Sequence, residues 1–296
     1  MKILISGANG LIGKELVNFF SLNQHQVFKL VRKRTSLQKD EIFWDIKKEV
    51  IDLNQLEGFD AVIHLAGESI IGKWTKEKKK KIENSRVKGT EFLCRSLSQI
   101  HAPPQTFISA SAIGYYGDHG SSVITEQSTK GKGFLANVCQ KWEEATALLA
   151  KKEVRIVQVR TAVVMSQKGG ALKKMLTPFN CFLGAQLGSG EQYMSWIALD
   201  DLVAIYSFIL NHPSIRGAIN GTSPYPITNE EFTNTLAKVL HRSAFLKLPE
   251  FVLKKILGEM AEELLLVSQR ARPTALMEQQ FSFTYPLLEQ ALNHMV

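Results

Sequence analysis

Three glycines near the start of the chain have the spacing of a phosphate-binding turn. Gly7, Gly10 and Gly13 follow the apolar run Ile3–Ser6 and precede the amphipathic stretch Lys14–Phe20. A strand that leads through such a turn into a helix presents backbone N–H groups and the positive end of the helix dipole to a pyrophosphate. Gly7 permits the turn, Gly10 a close approach to phosphate, and Gly13 the packing of helix on strand. The spacing predicts a dinucleotide site, and an ordinary strand–helix turn is the alternative.

A run of cations follows the second apolar run, Val27–Val31. Arg32, Lys33 and Arg34 begin 19 residues after Gly13, near the position where an NAD-binding domain places an acid on the ribose. An acid there would repel a 2′-phosphate, whereas guanidinium groups bind phosphate through paired hydrogen bonds. We therefore predict NADP(H) as the cofactor, with Arg32 and Lys33 at the 2′-phosphate. A solvated turn is the alternative.

Later segments add small and polar residues to the predicted cofactor site. Ala66 and Gly67 let a nucleotide lie against the backbone, Glu68 is placed at a ribose and Lys73 at a phosphate. Asp45 either approaches the adenine amino group or caps a turn, and both interpretations stay open. The complete predicted set of cofactor contacts is Gly7, Asn9, Gly10, Leu11, Ile12, Gly13, Arg32, Lys33, Asp45, Leu65, Ala66, Gly67, Glu68, Lys73 and Ser109.

Hydroxyl side chains cluster after the apolar run that begins at Thr106. Ser109 and Ser111 lie near the end of this run, where a carbonyl substrate would bind, and Tyr116 follows closely. We predict that Ser111 orients a substrate oxygen and that Tyr116 assists proton transfer. Packing or loop anchoring is the alternative role for Tyr116.

Short apolar runs alternate with helical patterns through the first half of the chain. This alternation predicts an α/β fold, a Rossmann-type doubly wound parallel sheet with a smaller, mostly helical C-terminal substrate lobe. The rhythm changes near residue 165. We predict an NADP-binding domain over 1–165, to which 196–222 return, and a smaller lobe built from 166–195 and 223–296.

Two helix starts are predicted within the second half. Asp200 and Asp201 precede the apolar stretch Leu202–Leu210, as capping residues do. Thr228 and Glu231 have the spacing of a capping box, in which each side chain binds the backbone N–H of the other residue.

Composition limits the classes of function. The chain has 296 residues, 45% of them hydrophobic, and no run of eighteen apolar residues that would span a membrane. It enters a strand after one lysine, so no signal peptide is predicted, and the expected compartment is the cytoplasm. The three cysteines, Cys94, Cys139 and Cys181, are widely spaced, which predicts neither disulfides nor a metal site.

A basic segment contributes much of the net charge of +8. Lys73–Lys81 carries six lysines against Glu77. A solvated helix face and a nucleic-acid contact are the two interpretations. We predict no nucleic-acid partner, because the sequence has no zinc-finger spacing and no basic repeat interleaved with aromatic residues. The expected partner is a small-molecule substrate, bound by a monomer or homodimer.

Taken together, these segments resemble the extended short-chain dehydrogenase/reductase superfamily, in its NAD(P)-dependent epimerase/dehydratase branch. The matching segments are Gly7–Gly13, His64–Gly67, Val87–Thr90, Ser109–Gly117, Thr125-Glu126 and Ser195–Leu202. A more specific resemblance is to an atypical epimerase-like subfamily that has its own C-terminal domain of uncertain function. It rests on Ala66–Ile70, Ser85-Arg86, Ser111–Gly117, Trp142-Glu143 and motifs within Leu257–Pro273. This resemblance also implies NADP dependence.

The superfamily resemblance implies a catalytic Tyr-x-x-x-Lys pair, which this sequence lacks. Positions i and i+4 share a helix face, so the lysine can lower the pKa of the tyrosine. The residues four positions after the six tyrosines are His119, Gly120, Ile197, Leu210, Asn229 and Glu289. Aligning Glu143 with the family's downstream acid places Leu135 at the tyrosine position and Cys139 at the lysine position.

Two hypotheses of function follow. The first is an NADP(H)-binding, epimerase-like oxidoreductase that acts on a carbonyl compound or a nucleotide sugar. The second is a non-catalytic NADP(H)-binding sensor or regulatory protein, which the missing pair favours.

Overall fold

A central sheet of eight strands organises the molecule. The computed structural model describes residues 1–35 and 37–296. The strands of the central sheet are β1 Lys2–Ser6, β2 Gln26–Val31, β3 Glu41–Asp45, β4 Val50–Ile51, β5 Ala61–His64, β6 Thr106–Ala112, β8 Arg155–Thr161 and β13 Gly217–Gly221. The short strands outside it are β7 Val123–Ile124, β9 Val163–Met165, β10 Ala185–Leu187, β11 Tyr193–Met194, β12 Trp196–Ala198, β14 Ile227–Thr228, β15 Leu246–Leu248 and β16 Arg270–Ala271.

Helices connect these strands and form most of the second half. They are α1 Leu11–Leu22, α2 Lys76–Gln99, α3 Phe134–Glu144, α4 Ala147–Ala150, α5 Gly170–Asn180, α6 Leu199–Asn211, α7 Asn229–Val239, α8 Glu250–Leu257, α9 Glu259–Leu264, α10 Thr274–Glu278 and α11 Leu288–Met295. Two 3₁₀ turns lie at Leu53–Leu56 and Ile113–Tyr116. Within the described residues, none of the helices combines the length and the apolar character that crossing a membrane requires.

The strand order places a ligand crevice beside β1. The order is β13-β8-β6-β5-β1-β2-β3-β4, and every pair is parallel except β3 with β4. The chain runs from β1 outward to β4 and then returns to β5 on the other side of β1. In open α/β sheets, ligands bind outside the carboxyl ends of the strands at this reversal. The predicted Rossmann-type fold is confirmed.

Apolar side chains cover both faces of the sheet. On one face, Ile5 and Val159 pack with Leu16 of α1 and Ile205 of α6. On the other face, the sheet packs against α2 and α4 in a second cluster that includes Leu97. Strands that are buried on both faces have continuous apolar sequences, which is why the strands of this sheet were recognised as short apolar runs.

A third apolar cluster forms the core of the smaller lobe. It joins Leu172 of α5, Trp196 of β12, Leu236 of α7 and Leu292 of α11. Its members lie both before and after the segment of the chain that contributes α6 and β13 to the central sheet region. The exact division into 1–165 with 196–222, and 166–195 with 223–296, stays a prediction.

The two predicted helix starts have different outcomes. The capping box at the start of α7 is confirmed, because Glu231 N–H donates to Thr228 Oγ1 at 3.1 Å and Thr228 N–H donates to Glu231 Oε2 at 2.7 Å. The prediction that Asp200 and Asp201 cap the next helix is wrong, since α6 begins at Leu199. Asp201 is instead buried and accepts hydrogen bonds from the backbone N–H groups of residues 284 and 285.

Candidate functional site

The glycine turn lies at the strand-order reversal. Gly7 has φ +69°, and a Cβ there would lie 2.9 Å from the carbonyl carbon of Leu65, at the end of β5. A Cβ on Gly13 would overlap the carbonyl oxygen of Gly7. Both positions therefore require glycine, as the spacing predicted. The close approach leaves the loops after β1 and β5 as the two edges of one crevice.

The first turn of α1 is open to an anion. Gly10 is its N-cap and provides no side chain, and the first turn carries no acid. Within the described residues, the N–H groups of Leu11 and Ile12 have no hydrogen-bond acceptor. Unsatisfied N–H groups at a helix N-terminus favour phosphate.

Ser6 and His64 fix the two loops beside this turn. Ser6 Oγ accepts from Leu65 N–H at 3.0 Å and from Ala66 N–H at 3.2 Å. It lies 2.7 Å from Nδ1 of His64, to which its own proton is donated. Burial lowers the pKa of His64 to about 4, so the imidazole is neutral at pH 7. The end of β5 is thereby tied to the end of β1.

Cations surround the β2 edge of the crevice. Arg32 and Lys33 are exposed and have no ion-pair partner within residues 1–35 and 37–296. Glu68, across the crevice, pairs with Lys78 at 2.6 Å. The hydrogen bond from Lys78 lowers the pKa of Glu68, and the positive charges of Lys81 and Arg32 act in the same direction. The acid at this edge is therefore neutralised by its neighbours.

Three of the predicted cofactor contacts have different surroundings in the structure. Asp45 Oδ1 accepts from the backbone N–H groups of Lys47 and Lys48 at 2.9 and 3.1 Å, which is the turn-capping alternative. Lys73 is exposed in the segment between β5 and α2. Ser109 is fully buried, and its hydroxyl donates to the carbonyl oxygen of Ala110 at 3.1 Å.

The predicted catalytic hydroxyls belong to an internal network. Ser111 Oγ donates to Glu143 Oε1 at 2.7 Å, and Glu143 also accepts two hydrogen bonds from Arg160, each 2.8 Å long. The third arm of Arg160 donates to the hydroxyl of Tyr116 at 2.9 Å, which donates to Asn220 Oδ1 at 2.7 Å. Both predicted catalytic hydroxyls therefore donate to acceptors inside the protein.

Tyr116 is poorly placed for the proton transfer assigned to it. Its side chain is 0% exposed, and burial raises its pKa to about 12. A phenol that is a weaker acid and is enclosed by the protein gives up its proton less readily at neutral pH. The catalytic roles of Ser111 and Tyr116 stay predictions, and the network would have to open for either hydroxyl to reach a substrate.

The wall opposite the β5 edge is formed by α3. Leu135 and Cys139, both nearly buried, face Gly114 at the end of β6, where an added Cβ would lie 3.4 Å from Leu135 Cβ and 3.9 Å from Cys139 Sγ. Burial raises the pKa of the Cys139 thiol to about 12, although nearby Arg86 favours the thiolate. Neither residue supplies a charge or a mobile proton at neutral pH.

Arg86 is a cation that was named only within a motif of the family resemblance and was not predicted as a site residue. Its guanidinium donates to the carbonyl oxygens of Glu68 and Ile82 at 2.9 and 3.2 Å and lies 5.1 Å from the ring centre of Trp142. A Cβ on Gly67 would lie 3.3 Å from its central carbon. No carboxylate pairs with it within the described part of the chain. Its remaining donors stand between β5 and α3, beside Cys139.

A carboxylate closes the N-terminus of α3. Glu263, on α9, accepts from the backbone N–H groups of Phe134 and Leu135 at 2.7 Å each. Gly133, with φ +111°, leaves space for it, because a Cβ there would lie 2.9 Å from Glu263 Oε1. The second half of the chain therefore contributes directly to the wall of the crevice.

This fold and this glycine turn define a dinucleotide-binding protein of the Rossmann type. Residues 3–220 match the NAD dependent epimerase/dehydratase family, and residues 248–295 match a domain of unknown function, DUF1731. The chain belongs to the NAD dependent epimerase/dehydratase family. The resemblance predicted from the sequence, including its distinct C-terminal domain, is confirmed.

Relatives of similar length support this assignment. Epimerase family protein ML0860 of Mycobacterium leprae is 38% identical over 293 residues, covering 99% of this chain and 94% of its own. The crystal structure of human epimerase family protein SDR39U1 (isoform 2) with NADPH is 31% identical, with a TM-score of 0.92, covering 100% and 99% of the two chains. A nucleoside-diphosphate sugar epimerase from Corynebacterium glutamicum is 34% identical, with a TM-score of 0.83, covering 100% of this chain and 58% of the other.

Proposed function

We propose that this protein binds NADPH across the strand-order reversal and uses it to reduce a carbonyl compound. The observation that carries the proposal is the uncapped N-terminus of α1, which is set in a glycine turn beside two free cations. The human relative crystallised with NADPH supports the choice of cofactor.

The residues of the crevice fit this cofactor. The N–H groups of Leu11 and Ile12 would hold the pyrophosphate, and Arg32 with Lys33 the 2′-phosphate. The absence of a side chain at Gly10 leaves the first turn of α1 uncovered for the cofactor, and the absence of a side chain at Gly67 leaves room for the guanidinium of Arg86 beside it. The adenine half then lies toward β2 and the nicotinamide half toward β5 and β6.

The chemistry that bound NADPH would supply is a hydride for the carbonyl carbon of the substrate; the carbonyl oxygen would take a proton, which would give an alcohol and NADP⁺. Ser111 and Tyr116 hold the end of β6 and the 3₁₀ turn after it through Glu143 and Asn220. The proton then comes from water that enters the crevice, because those hydroxyls are bound within the protein.

Arg86 supplies the fixed positive charge at the nicotinamide end. In the superfamily pattern this charge comes from a lysine on the helix that here carries Cys139. Arg86 reaches the same region from α2 and retains unpaired donors beside Gly67. A guanidinium keeps its charge at any physiological pH and can bind two oxygens of a ribose or phosphate.

The test compares ligands that contain different parts of the cofactor. NADPH, NADH and 2′,5′-ADP, which lacks the nicotinamide half, are titrated against the unmodified protein, Arg32→Ala and Arg86→Gln by calorimetry. The unmodified protein is expected to bind NADPH at least about tenfold more tightly than NADH. Arg32→Ala should reduce that ratio and weaken 2′,5′-ADP. Arg86→Gln should weaken NADPH and NADH about tenfold and leave 2′,5′-ADP unchanged.

Arg95→Gln is the matched control, since Arg95 lies on the same helix and pairs with Glu49 at the surface. It should leave all three affinities unchanged. Equal affinity for NADPH and NADH would contradict the 2′-phosphate assignment. A loss of 2′,5′-ADP binding in Arg86→Gln would show that Arg86 only supports the local fold.

A non-catalytic sensor is the second candidate function, favoured by Leu135 and Cys139 on the wall formed by α3. Loss of NADPH absorbance with a panel of carbonyl compounds and nucleotide sugars separates the two. Turnover of any compound would support an enzyme. Turnover that persists in Ser111→Ala and Tyr116→Phe would support proton delivery by water, whereas its loss in either variant would support the predicted roles of these hydroxyls instead. Tight binding without turnover of any compound would support the sensor.

A further inference from the structure

Two helix N-termini face the crevice, and they differ in their electrostatic state. The first turn of α1 has free N–H groups and no acid, as an anion site requires. The first turn of α3 has its N–H groups bound to the Glu263 carboxylate. A helix N-terminus can hold one anion, and at α3 the protein itself provides it.

The position of α3 makes this difference relevant to the substrate. Its first turn carries Leu135, which contacts Gly114 at the end of β6. The segment after β5 reaches the same turn, because the rings of Trp74 and Phe134 lie 5.3 Å apart. A substrate beside the nicotinamide half would therefore lie against Trp74, Phe134 and Leu135.

Lys79, the cation that contacts Phe134, is already paired with a carboxylate. Lys79 Nζ lies 4.5 Å from the ring centre of Phe134 and donates to both carboxylate oxygens of Glu259, at 2.7 and 2.8 Å. Met260, the next residue on α9, accepts a hydrogen bond from the N–H of Gly72 through its sulfur. This entrance therefore carries aromatic and aliphatic side chains and the Glu263 carboxylate, which no side-chain cation pairs with in the described part of the chain. The unpaired Arg86 lies further along α3, beside Cys139 and Trp142.

We propose that the substrate of this site is an uncharged, largely apolar aldehyde or ketone, and that Glu263 excludes phosphorylated compounds. The inference rests on the proposed function, since it assumes that NADP(H) occupies the crevice. A nucleotide sugar would place a diphosphate near Glu263, where like charges in a partly desolvated site repel. An uncharged, apolar carbonyl compound is not repelled by the Glu263 carboxylate and makes favourable contacts with the aromatic rings.

The experiment measures binding without turnover. Protein saturated with NADP⁺, which has no hydride to give, is titrated with acetophenone, 2-octanone and UDP-glucose by calorimetry. We expect at least one ketone to bind about tenfold or more tightly than UDP-glucose. Glu263→Gln should strengthen UDP-glucose binding about tenfold and change ketone binding by less than about twofold, because the amide keeps one hydrogen bond to α3 and loses the charge.

Glu262→Gln is the control, because this substitution removes the same charge on the same helix. Glu262 is exposed and pairs with Lys254 away from the crevice. Glu263→Asp keeps the charge and should keep the exclusion, which tests the inference if Glu263→Gln is unstable. Tighter binding of UDP-glucose than of either ketone by the unmodified protein would overturn the inference. An unchanged ratio of ketone affinity to UDP-glucose affinity in Glu263→Gln would overturn it as well. Failure of the protein to bind NADP⁺ in the first step would instead reject the proposed function, and this inference with it.

Discussion

His64 couples the cofactor crevice to pH. It is fully buried and neutral, with its pKa lowered by burial to about 4 from 6.5. Between these values the unfolded chain binds a proton that the folded protein does not. The stability that His64 contributes is therefore complete above about pH 6.5 and is lost as the pH falls toward 4.

Replacing His64 should remove this pH dependence. We expect the free energy of unfolding of the unmodified protein, relative to His64→Asn, to fall by about 2 to 3 kcal/mol between pH 7 and pH 4.5. Chemical denaturation at a series of pH values measures it. His241→Asn, at an exposed position, should show no such difference. Parallel curves for His64→Asn and the unmodified protein would contradict the prediction.

Residues with local signals were predictable, and residues whose partners are distant in sequence were not. Gly7 and Gly13 were predicted because the turn between strand and helix has local requirements: Gly7 has φ +69°, and a Cβ on Gly13 would overlap the carbonyl oxygen of Gly7. Arg86 was missed because its partners are backbone carbonyls, a ring and a glycine from separate segments. One signal was available: Arg86 lies four residues after Ile82 and seven before Leu93, on the apolar face of α2.

At the scale of elements, the capping box at the start of α7 should make a measurable contribution to the free energy of unfolding. Thr228→Ala leaves the N–H of Glu231 without its acceptor, so we expect a loss of about 1 kcal/mol in the free energy of unfolding. Urea denaturation measures it. Thr235→Ala, at a half-buried position inside the same helix, should cost less. An equal effect of the two substitutions would show that the cap contributes nothing specific.

Asp201 shows where local patterns mislead. Two acids before an apolar stretch have the pattern of a cap, yet α6 begins earlier and Asp201 binds the backbone near Thr284. Its two backbone partners lie 83 and 84 residues further along the chain. The type and order of the main elements followed from periodicity, whereas such long-range hydrogen bonds depend on tertiary packing that periodicity does not encode.

At the scale of the molecule, the C-terminal segment belongs to shared cores. Leu276 of α10 packs with the sheet strands, and Leu292 of α11 packs with Trp196. The region that matches a separate family is thus continuous with the rest of the structure. We expect the protein to unfold as one unit.

Leu292→Ala tests this continuity. Loss of a fully buried leucine should cost about 2 to 5 kcal/mol and lower the midpoint of a single unfolding transition. Calorimetry follows the whole protein, and far-ultraviolet circular dichroism reports its secondary structure. Leu287→Ala, at a position 46% exposed, is the control. Two separate transitions, with only one shifted, would contradict a shared core.

The position of β13 has a consequence for how the chain reaches this structure. β13 pairs with β8, yet β9 to β12, α5 and α6 intervene in the chain. Closing so long a loop is slow, because its entropy is lost before the pairing compensates. Until then β8, with its buried valines, has an unpaired edge that another copy can bind. Refolding should therefore be sensitive to protein concentration, and aggregation should begin at β8.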